Sequence, residues 1–151
     1  QGSFALTVFF SIGIFMTYIG GLLGDKYGPI KIIRLSLLIW LPSMFLLTQV
    51  PEFSVTIMMP LAYLILLMIG AAKAISYSPV IVLGQTYLAK SIGFASGITL
   101  GVSQTIGGII APVVGNLADT YSLPAAMMTL VPFLIVGLVA SLLLKDPKKL
   151  Q

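Results

Sequence analysis

A short charged segment, Gly21-Leu-Leu-Gly-Asp25-Lys26-Tyr-Gly28-Pro-Ile-Lys31, separates two apolar runs that are each long enough to cross a bilayer. Its glycines give a tight reversal the backbone freedom it needs. Its basic residues favour the cytoplasmic side of a membrane, and its acid can pair with the positive end of a neighbouring helix. The segment therefore predicts a charged turn between two membrane-spanning helices.

The composition is that of a membrane protein. Of 151 residues, 58% are hydrophobic and 8% are charged, whereas soluble domains use about 25% charged residues. A soluble helical bundle would need polar helix faces, which the apolar runs lack. The chain has neither Cys nor His, so thiol and imidazole catalysis and the usual zinc ligands are excluded. We expect no enzyme, no catalytic residues, no metal and no cofactor.

Five membrane-spanning helices are predicted, because about 20 apolar residues cross the hydrocarbon core. They lie near residues 3–23, 30–50, 55–88, 92–117 and 124–144. The third is too long for one straight span, so it should tilt, bend or break, with Pro60, Gly70 and the segment around Pro79 as candidate points. The chain starts at Gln1 and enters an apolar helix almost at once, so we expect a fragment of a longer protein.

The charge on the loops lies on one side of the predicted membrane. Successive loops alternate sides, which places seven basic residues on one side and none on the other: Lys26, Lys31, Arg34, Lys90, Lys145, Lys148 and Lys149. By the positive-inside rule, that side and the C-terminus are cytoplasmic. The basic residues form no run suited to a phosphate backbone, so nucleic acid is not an expected partner.

Lys73 is the charged residue near the middle of a predicted span. A central lysine costs about 2.5–3.5 kcal/mol on insertion scales, so it needs a partner, a wet cavity or a proton-free state. The acids of this chain all fall at the predicted membrane surfaces. Helical spacing puts Gly70, Lys73 and Tyr77 close to one face, which favours a ligand or proton pathway. The alternatives are a lysine that reaches out to the membrane surface and a structural pair with protein outside this chain.

Two further features lie in the fourth predicted helix. Gln104 is a mid-span polar residue suited to an interhelical hydrogen bond or to substrate contact. Gly97, Gly101 and Gly108 lie near one face, where small residues let another helix approach closely, in a static or a moving interface.

The chain also contains an internal similarity. Residues 115–122, Gly-Asn-Leu-Ala-Asp-Thr-Tyr-Ser, resemble residues 21–28, and three predicted spans separate the two segments. They would therefore lie on opposite sides of the membrane. An inverted three-helix repeat gives this arrangement, and such repeats are a feature of secondary transporters.

The spacing Gly-x-x-x-Asp-Lys-x-Gly at residues 21–28 resembles the signature loop of the major facilitator superfamily. The five predicted helices then resemble helices eight to twelve of twelve, and residues 107–119 strengthen this resemblance. Residues 84–97 are similar to the junction of helices ten and eleven in drug-efflux members, especially the fosmidomycin-resistance type. The resemblance implies that Gly21 permits close helix contact and that Asp25 meets the positive end of a helix across the domain interface. In the same pattern, the residues of a cytoplasmic gate motif are Gly21, Asp25, Lys26, Gly28 and Lys31.

This resemblance implies an all-α, polytopic membrane bundle that forms five of the six helices of a facilitator-type half. It implies a secondary active transporter in the cytoplasmic membrane, working by alternating access with the missing N-terminal half. We expect proton-coupled efflux of a drug or organic anion, an antiporter of the drug-resistance kind, with Lys73, Tyr77 and Gln104 in the substrate or proton pathway. Lys73 favours an anionic solute. The alternatives are an uptake carrier for a metabolite or organic anion and a non-transporting membrane scaffold or assembly protein.

Overall fold

The computed structural model describes residues 2–49 and 55–144, and this part of the chain is helical almost throughout. The helices are α1 (Gly2–Tyr27), α2 (Pro29–Gln49), α3 (Val55–Tyr87), α4 (Ile92–Thr120), α5 (Leu123–Met128) and α6 (Val131–Leu143), with one 3-10 turn at Ala89–Ser91. No strand occurs among the described residues. The predicted all-α class is confirmed.

Four segments within the described residues are long and apolar enough to cross a membrane. They are Pro29–Thr48, Pro60–Tyr87, Ala89–Thr120 and Leu123–Leu143. The prediction of a polytopic membrane bundle is therefore confirmed. Helix α1, which was predicted as a further span, lies outside these four, and it is 26 residues long because it continues through Asp25 and Lys26 to Tyr27.

The helical structure is interrupted near one proline and continues through others. α3 is one continuous helix of 33 residues that contains both Pro60 and Pro79, so it does not break. The segment predicted as one helix near 124–144 is instead divided at Thr129 and Leu130. Pro132, at the start of α6, has no N–H to donate to the preceding turn, and the Thr129 hydroxyl donates to the Ala126 carbonyl at 2.6 Å.

Helix α3 is the centre of the bundle, since it packs against α1, α2 and α4. One buried cluster joins Met44 of α2 and Ile65 and Ile69 of α3 to Leu134 of α6. A second cluster, formed by Ile30, Ile33 and Leu83, joins the start of α2 to the end of α3. Lipid tails are as apolar as these side chains, so close packing is the main gain from burying them.

Arg34 connects the start of α2 to the end of α6. Its Nε and Nη2 donate to the Ser141 carbonyl at 3.0 and 2.8 Å, and Nη2 lies 3.3 Å from both the Leu142 and the Leu144 carbonyl oxygens. The last carbonyls of a helix lack intrahelical donors, and the negative end of the helix dipole favours a cation. The charge pattern had assigned Arg34 to topology alone, whereas the structure shows that it caps α6.

We predict that Arg34→Leu destabilises the protein by about 2 kcal/mol, because hydrogen bonds to charged groups contribute about 1.5–3 kcal/mol. Thermal unfolding of the purified full-length protein in detergent measures the loss. Amide hydrogen exchange should rise in the last turn of α6. Lys31→Leu is the matched control, since Lys31 is exposed on the same helix. Equal stability of the two variants would contradict the capping role.

Candidate functional site

Three predicted site residues lie on one groove, here called the α4 groove. Lys73 and Tyr77 of α3 and Gln104 of α4 all line it, together with Trp40 of α2, and its volume is about 470 Å³. Lys73 lies near the middle of the span Pro60–Tyr87. The structure therefore brings together the three predicted site residues, although 31 positions separate Lys73 from Gln104 in the sequence.

A second groove, here called the α1 groove, lies between α1 and α3. Its volume is about 320 Å³, and Phe10, Ile14 and Thr17 of α1 form one wall. Lys73 and Tyr77 line this groove as well, so the two side chains stand on the ridge between both grooves. The α1 wall could not be predicted from the sequence, because its side chains are those of any apolar helix.

The ridge offers hydrogen-bond donors that are not in use. Among the residues that the structure describes, the Lys73 ammonium forms no ion pair or hydrogen bond, and neither does the Gln104 amide. Tyr77 is 46% exposed and its hydroxyl is likewise unengaged within the described part. These groups can donate to a bound molecule without first breaking a bond inside the protein.

The hydroxyl groups of Ser76, Thr99 and Ser103 in the α4 groove donate hydrogen bonds within their own helices. The Ser76 hydroxyl donates to the Lys73 carbonyl at 2.9 Å, the Thr99 hydroxyl donates to the Ala95 carbonyl at 2.8 Å, and the Ser103 hydroxyl donates to the Thr99 carbonyl. Because each proton is already shared, the oxygens remain as acceptors for a ligand. The α4 groove thus combines free donors with acceptors.

Contacts near the end of α3 and the start of α4 position the two walls of the α4 groove. An added Cβ on Gly84 would lie 2.6 Å from the Thr99 Oγ1, and the Gln85 Nε2 donates to the Ser96 hydroxyl at 2.8 Å. From residue 101 to residue 109, every α4 residue is exposed. Within the described part, an added Cβ would meet nothing within 4 Å at any of the predicted packing glycines, Gly97, Gly101 and Gly108. Their partner helix stays a prediction.

The charged turn is shorter than expected. Gly28 alone separates α1 from α2, with a φ of 94° that side chains rarely adopt, and its N–H donates to the Gly24 carbonyl at 2.9 Å. Pro29 begins α2 directly, where a proline loses no helical bond. The reversal therefore needs one residue.

The charged side chains of this turn are exposed. Lys26 Nζ lies 5.3 Å from the ring centroid of Tyr27, and Lys31 is exposed in the first turn of α2. Asp25 forms no ion pair with the described residues. It lies in the last turn of α1, where the helix dipole disfavours an acid. The gate role of these residues stays a prediction.

Three glycines of α1 lie directly on α3. An added Cβ would lie 2.8 Å from the carbonyl carbon of Ile75 at Gly20, 3.2 Å from the Ser78 Oγ at Gly21, and 3.2 Å from the Pro79 Cγ at Gly24. Proline at position 79 removes the N–H that would bond the Ile75 carbonyl. Gly20 thus allows the α1 backbone to approach the oxygen that Pro79 leaves free. Pro79 was the signal for this contact in the sequence.

The whole chain, residues 1–151, matches the family model described as Major Facilitator Superfamily. The chain belongs to this superfamily. It is 32% identical over 148 residues to the uncharacterized MFS-type transporter YfnC of Bacillus subtilis strain 168, an alignment that covers 98% of this chain and 34% of the relative. The chain thus spans about a third of that relative's length. No solved structure matches it significantly.

Membership in the Major Facilitator Superfamily and the long apolar helices indicate a multi-pass membrane protein. The superfamily is generally not enzymatic.

We predict that Gly20→Ala destabilises the transporter by about 1–3 kcal/mol, the usual cost of overpacking a tight contact. The added methyl group would overlap the Ile75 backbone, which cannot move as a flexible side chain can. Gly13→Ala is the matched control on the same helix, because an added Cβ there has open space. Thermal unfolding of both full-length variants in detergent makes the comparison. A Gly20→Ala variant as stable as Gly13→Ala would show that the approach is looser than described.

Proposed function

We propose that this chain is the C-terminal portion, helices eight to twelve of twelve, of a proton-coupled secondary transporter. Its substrate is a small organic solute of anionic character, a drug or an organic anion, which it exports in exchange for protons. The observation that carries the proposal is the convergence of Lys73, Tyr77 and Gln104 on one groove. It is an antiporter of the drug-resistance kind and not an enzyme.

Each of the three residues has a distinct part in this proposal. The Lys73 ammonium attracts an anion, because an unpaired cation inside a membrane gains most from an opposite charge. The Tyr77 hydroxyl and the Gln104 amide are donors that fix the orientation of the bound solute. The acceptor oxygens of the groove bind the solute's own hydroxyl or amine groups.

The remaining site residues belong to the conformational cycle. In alternating access, two halves rock about a central site. Asp25, Lys26 and Lys31 lie exposed at the turn around Gly28, which supports a gate formed with the N-terminal half. The open glycine face of α4 supports a close contact with the same half. The protein lies in the cytoplasmic membrane with its C-terminus in the cytoplasm, as the positive-inside rule favours.

Lys73→Ala should abolish efflux of an anionic solute without lowering expression, because the variant removes the charge that binds the anion. The measurement uses everted membrane vesicles that contain the full-length protein and carry an acid-inside proton gradient. Fosmidomycin, a phosphonate anion, is the first probe, and other anionic antibiotics follow. Solute-induced proton release should fall at least tenfold in the variant.

Lys90→Ala is the matched control, since Lys90 is an exposed lysine in the 3-10 turn and lies outside both grooves. It should release protons at the wild-type rate. Unchanged efflux in Lys73→Ala would refute the role of this lysine. A wild-type protein that dissipates no gradient with any solute would refute proton-coupled export itself.

A further inference from the structure

The α1 and α4 grooves share Lys73 and Tyr77, but their other walls differ in chemistry. The α1 groove is apolar: Phe10 and Ile14 are 66% and 74% exposed along it. The one hydroxyl on that wall, Thr17, donates its proton to the Gly13 carbonyl at 2.8 Å. Apart from the ridge residues, the α1 groove thus presents no free donor.

The α4 groove is polar by comparison. Beyond the ridge it contains the Gln104 amide and the hydroxyl oxygens of Ser76, Thr99 and Ser103. Because these hydroxyl protons are donated within the helices, the oxygens are suited to accept from hydroxyl or amine groups of a ligand. The two grooves therefore favour different parts of one molecule.

The charge lies between the two grooves. Lys73 belongs to both linings and has no counter-ion among the described residues. Tyr77 also lines both grooves and adds a hydroxyl donor to the same ridge. An acidic group at this ridge would be bound by charge-assisted hydrogen bonds, with the rest of the molecule extending to either side.

We propose that the site selects an amphiphilic organic anion. Its acid group binds at Lys73 and Tyr77, an apolar ring or chain lies in the α1 groove, and a hydroxyl-bearing group lies in the α4 groove. The groove volumes of about 320 and 470 Å³ are those of pockets that bind small molecules. This inference rests on the proposed transport function and adds the substrate class to it.

Two glycines allow each groove to be filled separately. Gly13 lines the α1 groove alone and Gly107 lines the α4 groove alone. Both lie inside helices, and at both an added Cβ would meet nothing within 4 Å of the described residues. Gly13→Leu and Gly107→Leu are therefore a matched pair of variants, each of which adds a side chain to one groove at a position where the Cβ has open space.

Two probes report on one groove each. 4-Phenylbutyrate joins an acid to an apolar ring, and D-gluconate joins an acid to a hydroxyl-rich chain. Binding is measured by isothermal titration to the full-length protein in pure phosphatidylcholine nanodiscs. Gly13→Leu should weaken the binding of 4-phenylbutyrate at least tenfold and change the binding of D-gluconate less than twofold. Gly107→Leu should have the opposite effects on the two probes. Lys73→Met should weaken the binding of both anions. The neutral 4-phenylbutyramide should bind the wild-type protein at least tenfold more weakly than 4-phenylbutyrate.

Three results would overturn the inference. Equal effects of both leucine variants on both probes would show one undivided site, and no binding of either anion below millimolar concentration would exclude the substrate class. Competition by phosphatidylglycerol, added to the nanodiscs, would assign the grooves to an anionic lipid. In each case, continued proton exchange with fosmidomycin, the probe of the proposed transport function, would leave that function standing. Loss of all proton exchange in the wild-type protein would refute the transport function instead.

Discussion

The close approach of α1 to α3 is the contact on which the candidate site depends. A membrane interior offers no water to satisfy backbone groups. Because Pro79 has no N–H, the Ile75 carbonyl lacks its helical hydrogen-bond donor. Gly20 lets the α1 backbone lie against that carbonyl, and Gly24 packs on Pro79 itself. This contact fixes α1 along α3, so the α1 wall of the groove lies opposite Lys73. A side chain at position 20 would separate the helices and open the groove.

Helix α3, which packs on α1, also contacts α2 and α4. Its buried residues pack on α2 and α6, and its end holds the start of α4 at Gly84. The exposed ridge of α3 is left between α1 and α4, with Lys73 at its middle. A cation there is costly in lipid, and no described residue neutralises it. In the proposed function, an anionic solute supplies the missing counter-charge.

Much of this arrangement could be predicted from the sequence, and the rest depended on tertiary contacts. The composition and the apolar runs predict the all-α membrane bundle. The charge of Lys73 near the middle of a predicted span marks it as a candidate site residue. Pro79 and Pro132 look alike in the sequence, yet α3 continues through Pro79, which packs against Gly24 of α1, whereas the helix is interrupted just before Pro132. The charge pattern placed Arg34 on a side of the membrane but could not name its partner, which lies 107 residues away.

If Lys73 binds an anionic solute as proposed, its side chain faces a water-filled groove and not lipid. The chain contains no cysteine, so Lys73→Cys in a full-length protein cleared of any other cysteines can be labelled by itself. A charged, membrane-impermeant thiol reagent should modify position 73 rapidly, and Ala72→Cys, at a buried position with 1% exposure, should react far more slowly. Rapid modification at 73, slowed by a bound anionic solute, is the predicted result. A cysteine at 73 that reacts only with lipid-soluble reagents would contradict the account.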